Sequence, residues 1–189
     1  AGRRKTPAMS WGPNLAVLLA GAALLGGMMA TAPGYDSTIR PFAIHAAPGE
    51  WADGRVFDAR FLGGQLTREI GFQRYGQDII RDSNGVFLIA DFKVSGVTAS
   101  TRVAAVWRGG SGRDYLASGR FDGAPGLLAE RWFQPGLTDQ TQAIFELPED
   151  EVQGGTLILT RLLDPALDSA LYLEPQGIAA VTPRQELSP

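Results

Sequence analysis

One histidine, no cysteine and twenty carboxylates are the main acid–base resources of this 189-residue chain. Without cysteine there is no disulfide, no thiolate metal site and no sulfur nucleophile. With His45 as the lone histidine, a Ser-His-Asp constellation or a multi-histidine metal centre has almost nothing to build from. His45 lies between Ile44 and Pro48 in a segment of loop composition and reads as a surface residue. The run Glu149-Asp150-Glu151 offers charge to a cation. Calcium, however, needs about six to eight oxygens from a shaped loop, and EF-hand spacing is absent. A solvated turn is the simpler reading, and Asp164 and Asp168 around Pro165 read the same way. Paired carboxylates for glycoside hydrolysis are defined by distance in space, so the sequence singles out no pair among its acids. Gly109-Gly110-Ser111-Gly112 and Gly63-Gly64 match neither a phosphate-binding loop nor a dinucleotide fingerprint. No convincing helix follows either, and both read as hairpin turns.

What remains is contact rather than catalysis. Trp107 sits in a strand pattern and is expected in the core. Trp132 and Phe133, just before Gln134-Pro135-Gly136, are the better candidates for an exposed partner contact. Of the seventeen basic residues only Lys5 and Lys93 are lysine. Arginine suits bidentate contacts, but a GC-rich genome, which also enriches Ala and Gly, explains the bias more simply. From Asp36 onward fourteen basic and twenty acidic residues leave the chain near −6. That balance argues against nucleic acid and anionic lipid headgroups as partners of this part of the chain as a whole, and would suit a cationic partner surface. Hydrophobic residues at 44% and charged residues at 20% exclude wholesale disorder. No cofactor or metal site is expected.

The elements that must carry these residues begin with an uncharged run. No charge occurs between Lys5 and Asp36, and residues 11–32 are mostly Leu, Ala, Gly and Met. About 20 apolar residues cross the hydrocarbon of a bilayer, so this run predicts a transmembrane helix. Ser10 is placed to cap it, Pro13 suits its first turn, and Thr31, Pro33 and Gly34 end it. Arg3, Arg4 and Lys5 predict a cytoplasmic N-terminus and an extracytoplasmic remainder. The rival is a cleaved signal peptide, with Ala30-Thr31-Ala32 as the cleavage site. Pro33 would follow that cut, a poor position for the peptidase, and the anchor is the favoured reading. Gly12, Ala16, Ala20, Ala23 and Gly27 recur at steps of four, four, three and four, placing small residues on one helical stripe. Small residues let membrane helices approach closely, so this stripe is the expected docking face for a partner helix. An Ala/Gly-rich composition producing a stripe by chance is the bland alternative.

Beyond the helix the signals are β-type. Residues 33–54 are interrupted by Pro and Gly and read as a linker. Strands are expected at 55–62, ending at Gly63-Gly64, and at 86–97, 101–108, 114–121, 140–148, 156–163 and 169–174. Asp82-Ser83-Asn84-Gly85 reads as a turn, 65–75 is ambiguous, and 127–133 is either strand or helical turn. The tail from Pro175 reads as loose. Phe87, Ile89, Val106, Phe145 and Leu159 are the expected core. Short strands separated by turns describe an antiparallel β-sandwich.

The order of the apolar strand 86–97, Asp114-Tyr115, Gln134-Pro135-Gly136 and Ala143-Ile144-Phe145-Glu146-Leu147-Pro148 resembles a group of bacterial immunoglobulin-like domains of unknown function. The resemblance covers about residues 55–174. It implies an all-β, immunoglobulin-like fold held outside the membrane behind a lipoprotein signal or a single helix, and it carries no catalytic residues to transfer. The chain departs from the lipoprotein variant, since it has no cysteine for a lipobox.

The expected organisation is a basic cytoplasmic tip at 1–10, a transmembrane helix at 11–32, a linker at 33–54, an extracytoplasmic β-sandwich at 55–174 and a loose tail at 175–189. The expected location is the bacterial inner membrane, single-pass, with a periplasmic C-terminal domain. The expected role is a non-catalytic accessory or assembly subunit whose partners are integral membrane proteins. A free-standing envelope binding module for glycan, peptide or lipid is the alternative, and a membrane-tethered hydrolase is the third. Protease added to intact spheroplasts should digest the linker or sandwich and spare an N-terminal tag; protection of the whole chain would sink this topology.

Overall fold

The computed structural model describes residues 11–32, 40–162 and 168–187, and the chain divides into two units, Ala1–Ile39 and Arg40–Pro189. The predicted cytoplasmic tip, the capping Ser10, the helix-ending Pro33 and Gly34, and Asp164 with Pro165 lie outside the described residues.

The first unit contains one helix, α1 at Trp11–Thr31. Its window Asn14–Thr31 is long and apolar enough to cross a membrane, and none of it is buried within the protein. The Thr31 hydroxyl donates to the Gly27 carbonyl at 2.8 Å, occupying one of the carbonyls left open at a helix C-terminus.

The second unit holds ten strands among the described residues: β1 Phe42–Ala46, β2 Ala52–Asp53, β3 Asp58–Arg74, β4 Gln77–Ser95, β5 Val103–Arg108, β6 Asp114–Leu116, β7 Asp139–Leu147, β8 Thr156–Arg161, β9 Ser169–Leu173 and β10 Ile178–Leu187. They form two sheets, ordered β1-β9-β8-β5-β6 and β10-β3-β4-β7, with β2 paired to β3. One core lies between them: Phe61, Leu88 and Phe145 from the second sheet meet Trp107, Leu157 and Leu171 from the first. Alternation along the strands produces this, because successive side chains point to opposite faces. In β8, Leu157 and Leu159 go inward while Thr156 and Thr160 stay half-exposed.

The β-sandwich is therefore as expected, but its boundaries and pairing differ. The linker region contains β1 and β2, and the tail contains β10. Two of these three additions pair in parallel, β1 with β9 and β10 with β3, so the sandwich is mixed rather than antiparallel; β2 pairs antiparallel with β3. Pro183 did not prevent a strand because β10 is an edge strand, where proline is tolerated.

Two turn signals were also redirected. Gly63-Gly64 does not end a strand; β3 runs through it with a register shift beside Phe61. Asp82-Ser83-Asn84-Gly85 does not reverse the chain either. Thr67 pairs with Phe87 and Glu69 with Asp82, so residues 83–86 stand opposite Arg68 alone as a bulge in the β3–β4 ladder, while Val86 stays paired with Leu147 of β7. A Cβ on Gly85 would lie 2.4 Å from the Leu147 carbonyl oxygen, which explains the glycine where β7 joins β4. The actual reversal is Tyr75-Gly76, with φ of 51° and 77°. Positive φ at both central positions marks a type I′ two-residue turn, whose twist matches that of the flanking strands.

The expected core also splits. Leu159 and Phe145 lie between the sheets, but Phe87 and Ile89 point to the opposite face of β4. There they join Ile70, Phe72, Phe121, Ile144 and Leu187 in a second cluster. Phe121, expected in a strand at 114–121, instead belongs to the excursion between β6 and β7, which makes a one-turn 3-10 helix at Gly119–Phe121 and, within the segment read as strand or helical turn, another at Leu128–Glu130. Phe121 meets Phe87 edge-on at 5.1 Å. Val106 is half-buried on the outer face of β5 and is not a core residue.

The acidic run 149–151 is a further correction. It forms a one-turn 3-10 helix in which Glu151 is buried. Its carboxylate accepts the Ser111 hydroxyl at 2.6 Å and the Ser111 backbone N–H at 3.1 Å, pinning the glycine-rich loop. These bonds hold the Glu151 carboxyl below its ordinary range.

Truncation of Phe145 to Ala should cost about 3–5 kcal/mol by denaturant unfolding, while the fold retains a β-type circular dichroism spectrum. A mainly helical spectrum of the wild-type protein would overturn the fold.

Because Glu151 binds its proton more weakly in the folded state, the stability it contributes is present at neutral pH and is lost as pH falls below about 4.5. Glu151→Gln should be less stable than wild type at pH 7, with the difference shrinking toward pH 3 in thermal melts; a constant difference would contradict this account.

Candidate functional site

The second sheet is covered on its outer face near the β3–β4 turn, whereas the outer face of the first sheet is partly open, with Ile158 and Ala170 buried and Val106, Thr160 and Tyr172 half-buried. Between Leu157 and Leu159, Ile158 points outward, with Val106 and Tyr172 as its register neighbours. Ala104, Thr160 and Ala170 continue the same face, and Leu116 on the edge strand β6 is 75% exposed. Small and β-branched residues make this face flat and largely apolar.

One end of the face is polar. Arg108 grips Asp114 with two bonds, 2.7 and 2.8 Å, from neighbouring strands. Its guanidinium also stands 5.8 Å from the centre of the Tyr172 ring, and Tyr172 stacks on His45 at 4.7 Å. The bidentate pair holds the Asp114 carboxyl below its ordinary range and raises the Arg108 guanidinium further. His45 therefore sits in a strand rather than a linker, exposed and occupied by ring stacking.

At the β6 edge the face turns into a cleft of about 260 Å³. It opens because β6 has only three residues and leaves the gap toward β7 uncovered. Leu116, Leu127, Leu128, Ile144 and Leu162 line it, and Val103 and Ala105 form its floor at the core. Its polar groups are engaged: Gln142 donates to the Pro125 carbonyl at 3.1 Å, and Arg102 donates to the Ala129 carbonyl. A dry apolar cavity of about 150 Å³ admits benzene, so this cleft is large enough for an aromatic or aliphatic group. Its lining carries one hydroxyl, Ser118, which accepts the Arg120 N–H at 3.3 Å, and no carboxylate or imidazole.

The residues singled out from sequence distribute unevenly. Ala16, Ala20, Ala23 and Gly27 are exposed on α1, and Gly12 lies in its first turn. Trp132 is 52% exposed, whereas Phe133 is fully buried and cannot serve as a partner contact. Phe133 exchanges backbone hydrogen bonds with Thr101 at 2.9 and 3.1 Å, which turns its ring into the core. Trp107 is buried as expected. Asp168 is also buried and accepts the Ser169 N–H at 2.7 Å. Burial pushes the Asp91 carboxyl up; its register neighbours Gly63 and Gln142 are not acids. No group of three or more metal-ligating side chains occurs among the described residues. The outer face and cleft were missed by sequence reasoning. The alternation at 103–108 and 156–161 was the available signal, but it does not tell which partner strand builds the face.

No protein-family model matches the chain, and no curated protein matches it. Among solved structures it is similar to an uncharacterized beta-sandwich protein from Clostridium difficile 630, at 10% identity and a TM-score of 0.43, covering 71% of this chain and 97% of that one. It is also similar to the yjhA protein from Bacillus subtilis, at 13% identity and a TM-score of 0.47, covering 68% of this chain and 99% of that one. The β-sandwich described above rests on its own strand pairing.

Proposed function

We propose that the protein is a non-catalytic accessory or assembly subunit of a bacterial membrane protein complex. In this reading α1 spans the inner membrane and docks on integral membrane partners through Gly12, Ala16, Ala20, Ala23 and Gly27, and the sandwich braces the periplasmic face of the complex. The observation that carries it is the apolar edge of the first sheet, where Leu116 is 75% exposed beside half-buried Val106 and the Arg108–Asp114 pair stands at its polar margin. Contiguous exposed apolar surface with a polar rim is the usual composition of a protein contact. The strand order supports an immunoglobulin-like reading: β3-β4-β7 faces β9-β8-β5-β6, with a buried tryptophan on β5, the position of the core tryptophan in that fold.

The cleft favours the second reading, a membrane-tethered envelope binding module. Its lining points to an apolar group of a peptide or lipid rather than to a glycan, which needs free polar partners.

Co-purification of the full chain in mild detergent separates the two. A stoichiometric set of membrane proteins is expected for a subunit, and a lone protein for a binder. Ala20→Leu with Ala23→Leu should weaken the association, as should Val106→Arg on the outer face. Leu18→Ile with Leu25→Ile should leave it intact, and all variants should still insert. Equal retention of partners by all of them would leave the helix as a tether only.

A further inference from the structure

The sandwich has two ends of different character. Strands β1, β3, β5, β7 and β9 begin at one of them, and the Arg55 N–H donates to the Ser169 hydroxyl at 3.0 Å, tying the starts of β3 and β9 together there. The chain enters the sandwich at this end, through Arg40 and Phe42. Four of its large apolar side chains are open to solvent: Phe42 at 59%, Trp132 at 52%, Leu137 at 55% and Leu162 at 42%. Each is placed there by a specific bond. Phe42 donates its N–H to the Asp168 carbonyl, and Leu162 to Arg102. Trp132 precedes the Thr101–Phe133 bridge, and Leu137 precedes Thr138, whose hydroxyl bonds Ser95 at 2.8 Å.

Cations accompany them. Arg40 is exposed, Arg102 bonds only a backbone carbonyl, and Arg131 bonds the Gln140 carbonyl with Asp139 at 4.0 Å. Of the acids at this end, Asp168 is buried, Asp58 accepts the Gly54 N–H, and Asp53 is exposed. The acidic run Glu149–Glu151 belongs to the opposite end, between β7 and β8.

We propose that this entry end of the sandwich rests in the lipid headgroup layer of a bilayer, with Trp132, Leu137, Leu162 and Phe42 dipping into it and the arginines meeting phosphates. The inference rests on α1 being a membrane anchor. Given that, the length of chain supports the entry end as the one that meets lipid. From Ala32 to Arg40 even a fully extended chain spans at most about 29 Å. The seventeen residues of β3 run about 56 Å toward the far end at about 3.3 Å each. Arg40, at the entry end, is thus tied to Ala32 by a tether shorter than the sandwich strand β3. Tryptophan is the residue enriched at headgroup depth, and its apolar ring with a polar N–H explains why. Neighbouring arginines add attraction to anionic headgroups.

The absence of cysteine allows a direct test. Single cysteines at Trp132→Cys, Leu137→Cys and Leu162→Cys, with Tyr75→Cys at the far hairpin and Leu18→Cys in the helix, are labelled with a small fluorophore. The full chain is placed in nanodiscs of phosphatidylethanolamine and phosphatidylglycerol. Emission at 132, 137 and 162 should fall several-fold more with a lipid-borne quencher than emission at 75, and iodide in the water should show the reverse order. If 18 is quenched by lipid while 132, 137 and 162 behave like 75, the proposal fails and the anchor stands. If 18 also escapes the lipid quencher, the anchor itself fails. Labels at 132, 137 and 162 shielded from both quenchers would mean a protein covers this end, and would overturn the proposal as well.

Discussion

The burial of Trp107 between the sheets is the constraint on which the rest of the second unit depends. Its ring fills the space between β5 and Phe145 of the facing sheet, 6.3 Å away. A Cβ at Gly155 would fall 2.5 Å from that ring, so the start of β8 lies flat against it. The indole N–H cannot be left unpaired in such a place without a penalty. It donates to the Glu151 carbonyl at 3.1 Å. That bond fixes the one-turn helix after β7, whose Glu151 side chain in turn holds Ser111 in the loop after β5. One large side chain thus sets the spacing of the sheets and the geometry of two loops that are distant in sequence.

The two sheets solve their outer faces differently. On the second, Phe87, Ile89 and Ile144 are roofed by the excursion between β6 and β7 and closed at the edge by Leu187 of β10. Arg184 reaches Glu69 on β3 at 3.1 Å and holds that edge in register. The first sheet has no such roof. The residues spent on roofing one side are those that leave β6 short and open the cleft on the other.

What the sequence disclosed follows the range of the interaction involved. Trp107 in the core, the apolar helix and the strands around 86–97 and 140–148 were legible because local pattern decides them. The elements that were missed depend on partners far along the chain. His45 and its neighbours are a strand only because β9 lies beside them, and the Pro183 segment only because β3 does. Asp82-Ser83-Asn84-Gly85 carries the chemistry of a turn, and its Ser83 hydroxyl does accept the Gly85 N–H. Tertiary pairing converted that local bend into a bulge. Phe133 looked exposed beside a Pro-Gly turn; its backbone bridge to Thr101, invisible in sequence, turned it inward.

The parallel clasp of the two ends of the sandwich also orders events in time. The Thr182 hydroxyl bonds the Leu66 carbonyl across 116 positions of the chain, and the Ser169 hydroxyl meets Arg55 across 114. Contacts of such separation are slow to form, because the loop must close before any bond rewards it. The β3–β4 hairpin, joined by Tyr75-Gly76, can assemble early, but β1 and the edge of β3 wait for the last strands to be made. A chain built this way stays open until residues 169–187 are available to pair. The two sheets therefore close as a pair of clasps, each waiting on a strand from near the other end of the chain.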